Sequence, residues 1–157
     1  MKLSVPEILA EVAKAPNKKA KVEKLKELDN PVLRGVLSIN FDPNIVLDLP
    51  EGDPPYKGSD PDIPYGPDIN DSNLYAEFKR MYLMVKNHPS RPPTLKRMQV
   101  ENIWIQILEA CHHTESKMLC QMKSRELSKV YKGLTYDVVA EAFPGLLPET
   151  TKKADIS

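Results

Sequence analysis

Residues 125–149 read RELSKVYKGLTYDVVAEAFPGLLPE, and the way this stretch turns decides the fold around it. Val130 and Tyr131 close one helix. Gly133 stands where a helix commonly ends in a left-handed residue, a conformation glycine adopts without a Cβ clash. Thr135 suits an N-cap, its hydroxyl accepting from a backbone N–H of the next turn. Val138, Val139, Ala142 and Phe143 share one face of a short helix, and Pro144-Gly145 cannot continue it. Such a corner turns free backbone N–H groups and a positive helix end outward, beside Lys129 and Lys132. That chemistry suits a phosphate. The same pattern also describes an ordinary corner that only supports a core.

Working back toward the N-terminus, Ser4-Val5-Pro6-Glu7 has the form of a capping box, with serine at the cap and glutamate three residues on. Val5, Ile8, Leu9 and Val12 then make one apolar stripe, predicting a helix over 6–14. Pro16-Asn17 ends it and caps a second helix over 18–28, with Val22, Leu25 and Leu28 inward. Lys18, Lys19 and Lys21 crowd its first turn, where cations oppose the helix dipole. A sequence shaped only for stability would place acids there, so these lysines are either a solvated face or a phosphate site. Asn30-Pro31 opens a third helix through residue 39, with Arg34 outward and Val32, Leu33, Val36 and Leu37 buried. Gly35 in its middle costs roughly 1 kcal/mol against alanine, which predicts close approach of another helix. Phe41 is expected to pack under the corner, before Asp42-Pro43 ends the helix.

Residues 42–73 are of a different kind. They hold eight acids (Asp42, Asp48, Glu51, Asp53, Asp60, Asp62, Asp68, Asp71) and one lysine, Lys57. The segment thus carries −7, and because the chain is neutral the remainder carries +7. A basic helical body with an acidic insertion behaves differently toward polyanions from a uniformly neutral protein. Proline and aspartate within the run disfavour helix and sheet, and Tyr56, Ile63, Tyr65 and Ile69 are spaced to pin it to the surface. The acids lack the ligand spacing of an EF-hand.

Asp71 or Ser72 is expected to cap a long fourth helix with Leu74, Tyr75, Phe78, Met81, Tyr82 and Val85 on one stripe. Asn87-His88-Pro89 ends it. Thr94 is expected to cap the central helix, with Leu95, Met98, Ile103, Trp104, Ile107, Leu108 and Cys111 as core and Lys96 and Arg97 at its positive end. His112-His113 would close that helix. Thr114-Glu115 would begin the next, with Met118, Leu119, Met122 and Val130 inward. Two cysteines, Cys111 and Cys120, make no disulfide framework, and adjacent histidines on a helix point about 100° apart, which does not suit zinc. No metal or cofactor is expected.

At 157 residues the chain has the size of one domain. The expected fold is all-α, a compact domain of about seven helices over residues 1–149, with the irregular acidic insertion at 42–73 and a frayed tail at 150–157. No apolar run approaches the ~20 residues of a membrane span, so no membrane partner is expected and the cytoplasm is the expected location.

Three stretches together resemble the N-terminal DNA-binding domain of ATP-dependent DNA ligases. Phe143-Pro144-Gly145-Leu146-Leu147-Pro148-Glu149 is similar to the run that leads from that domain toward the catalytic one. Pro31-Val32-Leu33-Arg34-Gly35-Val36-Leu37, followed by Phe41-Asp42-Pro43, is similar to the family's Leu-basic-Val-Leu…aromatic-Asp-Pro element. Residues 108–119 are similar to its paired helices before the corner. The resemblance implies an all-helical domain that grips duplex DNA through phosphates and sugars, and it matches Lys132, Gly133, Leu134 and Thr135 to the family's corner. Departures are Asp137, which would repel a nearby phosphate, and the acidic insertion.

The catalytic Lys-x-Asp-Gly motif of ligases does not occur, nor do a P-loop, GxSxG or HExxH, so no enzyme activity is expected. The expected function is non-catalytic, largely sequence-nonspecific binding of double-stranded DNA, accessory to replication, repair or recombination. The residues expected to touch DNA are Lys132, Gly133, Thr135, Lys129, Arg125, Lys96, Arg97, Lys18, Lys19 and Arg34. A stand-alone domain of this kind suits a phage genome, acting in a host's cytoplasm. Two alternatives stay open at this stage. One is a protein-interaction module that uses the acidic segment; the other is the DNA-binding half of a split ligase, whose partner would be a replication or ligase catalytic protein.

Overall fold

The computed structural model describes residues 3–52, 54–56 and 73–148, and every regular element among them is helical. Helix α1 (Val5–Lys14) starts at the expected capping box. The Ser4 N–H donates to Glu7 Oε1 at 2.8 Å and the Glu7 N–H donates to Ser4 Oγ at 3.3 Å. Helix α2 (Lys18–Glu27) is capped by Asn17, whose Oδ1 accepts from the Ala20 N–H, and α3 (Pro31–Phe41) by Asn30, which accepts from the Leu33 N–H. In each case a short polar side chain ahead of a helical run takes one of the orphan donors.

Beyond residue 42 the expectations hold less evenly. The fourth helix is capped by Asn73, whose Oδ1 accepts from the Ala76 N–H, rather than by Asp71 or Ser72, which lie outside the described residues. It is also not one long α-helix. A single turn, α4 (Leu74–Glu77), runs into a 3₁₀ helix (Phe78–Met84). Three residues per turn align Phe78, Met81 and Met84, so Met84 is buried and Tyr82 is exposed. Val85 leaves the helix because it forms an antiparallel bridge with Leu47. The Asp48 N–H donates to the Met84 carbonyl at 2.7 Å and the Lys86 N–H to the Val46 carbonyl at 2.8 Å. The expected approach at Gly35 is present. A Cβ added there would meet the Phe78 ring at 2.5 Å, so glycine makes room for the aromatic ring of the neighbouring element.

Helix α5 (Arg97–Ala110) begins after Lys96, not after Thr94, and the Gln99 side chain accepts from the Lys96 N–H. Its buried residues are Val100, Trp104, Ile107 and Leu108, while Met98 is 72% exposed. The more central helix is α6 (His113–Lys123), which packs against α1, α3, α5 and α7. His112 does not close α5 but caps α6, its Nδ1 accepting from the Thr114 N–H. The single helix expected to reach Val130 breaks at Ser124–Glu126 and resumes as one turn, α7 (Leu127–Val130), leaving Val130 exposed. Helix α8 (Tyr136–Ala142) follows Gly133 and Thr135 as expected.

The buried side chains of these helices form one hydrophobic cluster, with Trp104 its largest member. Phe41 and Tyr56 pack partly buried against it. Of the other residues expected to pin the acidic segment, Ile63, Tyr65 and Ile69 lie outside the described residues, as do five of its acids and the expected tail at 150–157.

Candidate nucleic-acid interface

Helix α2 lies between α1 and α8, so its basic first turn meets the C-terminal corner. No acid occupies that first turn. Lys18 and Lys19 are exposed on it, whereas Lys21 turns inward. The Lys21 Nζ donates to the Ala15 carbonyl at 2.5 Å and to the Ala13 carbonyl at 3.4 Å, placing a cation on the negative end of α1. Its aliphatic stem lies across Gly133. That glycine has φ +81°, and an added Cβ would overlap Lys21 Cε. The left-handed backbone there favours glycine, and any side chain would also have to displace the Lys21 strut. Past it, Thr135 Oγ1 accepts from the Val138 N–H at 3.3 Å and starts α8.

These contacts create a cleft of about 260 Å³ with Asn17, Lys18 and Lys21 on one side and Gly133, Thr135 and Asp137 on the other. Two features that the sequence holds far apart, the lysine-rich turn and the glycine corner, share this one cleft. Lys132, next to Gly133, is exposed and forms no ion pair among the described residues. Asp137 brings the one opposing charge to the lining, so an anion seated here would be held toward the Lys18 side.

Other residues expected to bind are placed elsewhere. Arg125 sits in the break between α6 and α7 with φ +58°. Its guanidinium donates to the carbonyls of Ile39 (3.0 Å), Asn40 (3.3 Å), Asp42 (2.8 Å) and Ile45. These carbonyls lie at the end of α3, where the last ones of a helix lack an intrahelical donor, and in the turn after it. Nearby, the buried Asn40 side chain accepts from the Leu127 N–H at 3.2 Å, tying α7 to the same place. Arg125 is thus committed to holding the corner's approach. Lys129 is exposed and pairs with Glu126 at 3.0 Å; Arg34 pairs with Asp29 at 2.9 Å. Lys96 and Arg97 stand exposed at the start of α5, and Arg97 lies 3.8 Å from Asp48, which also pairs with Arg91 at 2.9 Å. The structure brings together Lys18, Gly133 and Thr135 in one cleft, whose lining includes none of Lys19, Lys132, Arg34, Lys96 and Arg97. Sequence reading missed Lys21 as the strut of the corner. The available signal was a lysine one turn into a helix that follows a proline break, within reach of the preceding helix's carbonyls.

A second polar cluster is buried. Glu115 is fully enclosed, its Oε1 accepting from the His112 N–H and its Oε2 from the Leu74 N–H, both at 3.2 Å. Burial raises its pKa above the ordinary carboxylate value, and the two backbone donors only partly oppose that rise. Burial likewise raises the Cys111 thiol, which disfavours the thiolate. The His112 and His113 rings lie 4.2 Å apart between centroids. Among the described residues no three His, Cys, Asp or Glu side chains gather as a metal site, and no helix is long and apolar enough to cross a membrane.

Neither a curated protein nor a solved structure matches the chain. A family match covers residues 8–129, which carry most of α1 through most of α7 and end just before the Gly133 corner. That span is well over half of the 157 residues, and the chain accordingly belongs to DUF6433, a family of unknown function.

Proposed function

We propose that this protein is a non-catalytic module that binds duplex DNA through its phosphate backbone with little regard to sequence, as an accessory in replication, repair or recombination. The observation that carries the reading is the shared cleft. Lys18 and the Gly133–Thr135 corner face each other across it, and their chain neighbours Lys19 and Lys132 are exposed. A phosphate there meets the Lys18 ammonium, a cap hydroxyl and the positive end of α2, none of which distinguishes one base from another. The resemblance of residues 31–43, 108–119 and 143–149 to the ligase DNA-binding domain supports the same reading. So does the +7 carried by the chain outside residues 42–73. Arg125 serves this function by holding the corner in place. Lys129 contributes to the surrounding field while paired with Glu126.

The test is a gel-shift titration on two duplexes of unrelated sequence, each intact and nicked. The wild type binds both sequences alike, and Lys18→Glu/Lys132→Glu weakens binding to all four substrates by tenfold or more. Unchanged binding by the double variant removes the corner as the contact surface. Strong preference for one sequence contradicts backbone recognition.

A further inference from the structure

Away from the basic corner, the chain carries a short β edge that it does not use. Leu47 and Val85 form an antiparallel bridge whose hydrogen bonds run between their neighbours, from the Lys86 N–H to the Val46 carbonyl and from the Asp48 N–H to the Met84 carbonyl. In a pair of this kind the bridged residues' own N–H and C=O point away from the partner strand. Those of Leu47 are thus turned outward, and neither finds a hydrogen-bond partner among the described residues. The bridge is also the only strand pairing among them. On the outward side lies a cleft of about 500 Å³, lined by Leu47 and Leu49 but by none of residues 84–86. Its far wall is the break between α6 and α7. The edge is pinned across the cleft at both ends, because Arg125 donates to the Ile45 carbonyl and Lys123 Nζ to the Pro50 carbonyl at 2.9 Å. Val46, also in the lining, is a large apolar side chain left 47% exposed on this fixed backbone.

We propose that this cleft docks a short extended segment of a partner protein, which adds a strand along Leu47 and seats an apolar side chain beside Val46. An outward N–H and C=O on one residue are answered together by the C=O and N–H of another extended chain. A helix has its own groups paired internally, and a phosphate brings acceptors alone. The lining gives a phosphate no net attraction either, since Lys123 and Arg125 are matched by Glu51 and Glu126. From Ile45 to Pro50 the edge spans at most roughly 17 Å, so the occupant is about four residues long. Proline supplies no donor, and Pro50 ends the edge on that side. This surface is separate from the proposed DNA contact, for the two clefts share no lining residue.

The test is an NMR titration of the isotopically labelled full chain with capped pentapeptides Thr-Xaa-Thr-Xaa-Thr, where Xaa is Ala, Val, Leu or Phe. Threonine favours an extended chain, and the series varies only the side chain offered to the cleft. At least one of the Val, Leu and Phe members is expected to shift the Leu47 amide saturably at up to about 5 mM. At saturation the Leu47 N–H exchanges about tenfold more slowly or less, while the Gly133 and Thr135 amides stay unmoved. That peptide is then N-methylated either at its threonine nitrogens or at its Xaa nitrogens. Only one edge of a strand faces Leu47, so one methylated form loses binding and the other keeps it. No shift at Leu47 with any member overturns the proposal. Equal behaviour of the two methylated forms overturns it as well, because the cleft would then not be reading a backbone edge.

Discussion

Single residues here follow local chemistry where their partners are near in sequence and depart from it where they are not. Ser4, Asn17, Asn30 and Thr135 cap the helices they precede because a cap is settled within four residues. Gly133 was legible for the same reason, since only a left-handed turn reconciles the helix on each side of it. Glu115 was not legible. It lies on a helix beside the exposed Lys117, and only the start of α4 at Leu74, 41 residues away, explains its complete burial. Its raised pKa makes a definite prediction. The folded state holds the Glu115 proton more tightly than the unfolded state does, so its contribution is fully present below the unfolded value and is lost as pH rises through the folded one. Thermal melts of wild type and Glu115→Gln from about pH 4 to pH 8 therefore converge with rising pH, the wild type losing stability relative to the variant. At acid pH glutamine is the less stable by about 1–3 kcal/mol, because its amide offers one acceptor to two backbone donors. Parallel melting curves across that range would show that Glu115 is not the titrating group.

Among elements, periodicity identified α1, α2, α3 and α8 and failed at the two places where long-range contacts reset the chain. The 3₁₀ helix replaces an expected α-helix because Val85 is drawn into a bridge with Leu47, and the Phe78 ring must reach the space opened by Gly35. Nothing within residues 74–85 alone reports either constraint. The break between α6 and α7 has the same origin. A helix continuing through Arg125 would carry its guanidinium away from the end of α3, whereas the left-handed residue delivers it to those carbonyls. Arg125 looked like a DNA-binding residue because an arginine beside a basic corner fits that role, and its acceptors lie some eighty residues upstream. Arg125→Ala is expected to leave α1 and α5 intact and to loosen α7 and the corner. Amide hydrogen exchange over residues 126–135 should speed up, with a local loss of about 2 kcal/mol or more, while exchange in α1 stays as in the wild type. Uniform acceleration across all helices would mean that Arg125 is a global rather than a local support.

On the scale of the whole molecule, the all-α class could be read from the sequence because nearly every apolar stripe has helical spacing and a cap ahead of it. The candidate site could be read only in halves. Lys18 and Lys19 were conspicuous as lysines in a first turn without acids, and the corner as a glycine–threonine turn, but their meeting depends on α2 packing against α8. Composition behaves alike, for a neutral total conceals a basic body and an acidic segment. If the body's charge is gathered for a polyanion, affinity must be governed by displaced counterions. The decisive measurement is the slope of log K against log salt for duplex binding, wild type against Lys18→Glu/Lys132→Glu. A phosphate-gripping cleft predicts a steep wild-type slope that becomes shallower by about two in the double variant, near one unit for each phosphate no longer neutralised. Equal slopes for the two proteins, or no duplex binding at low salt, would contradict it.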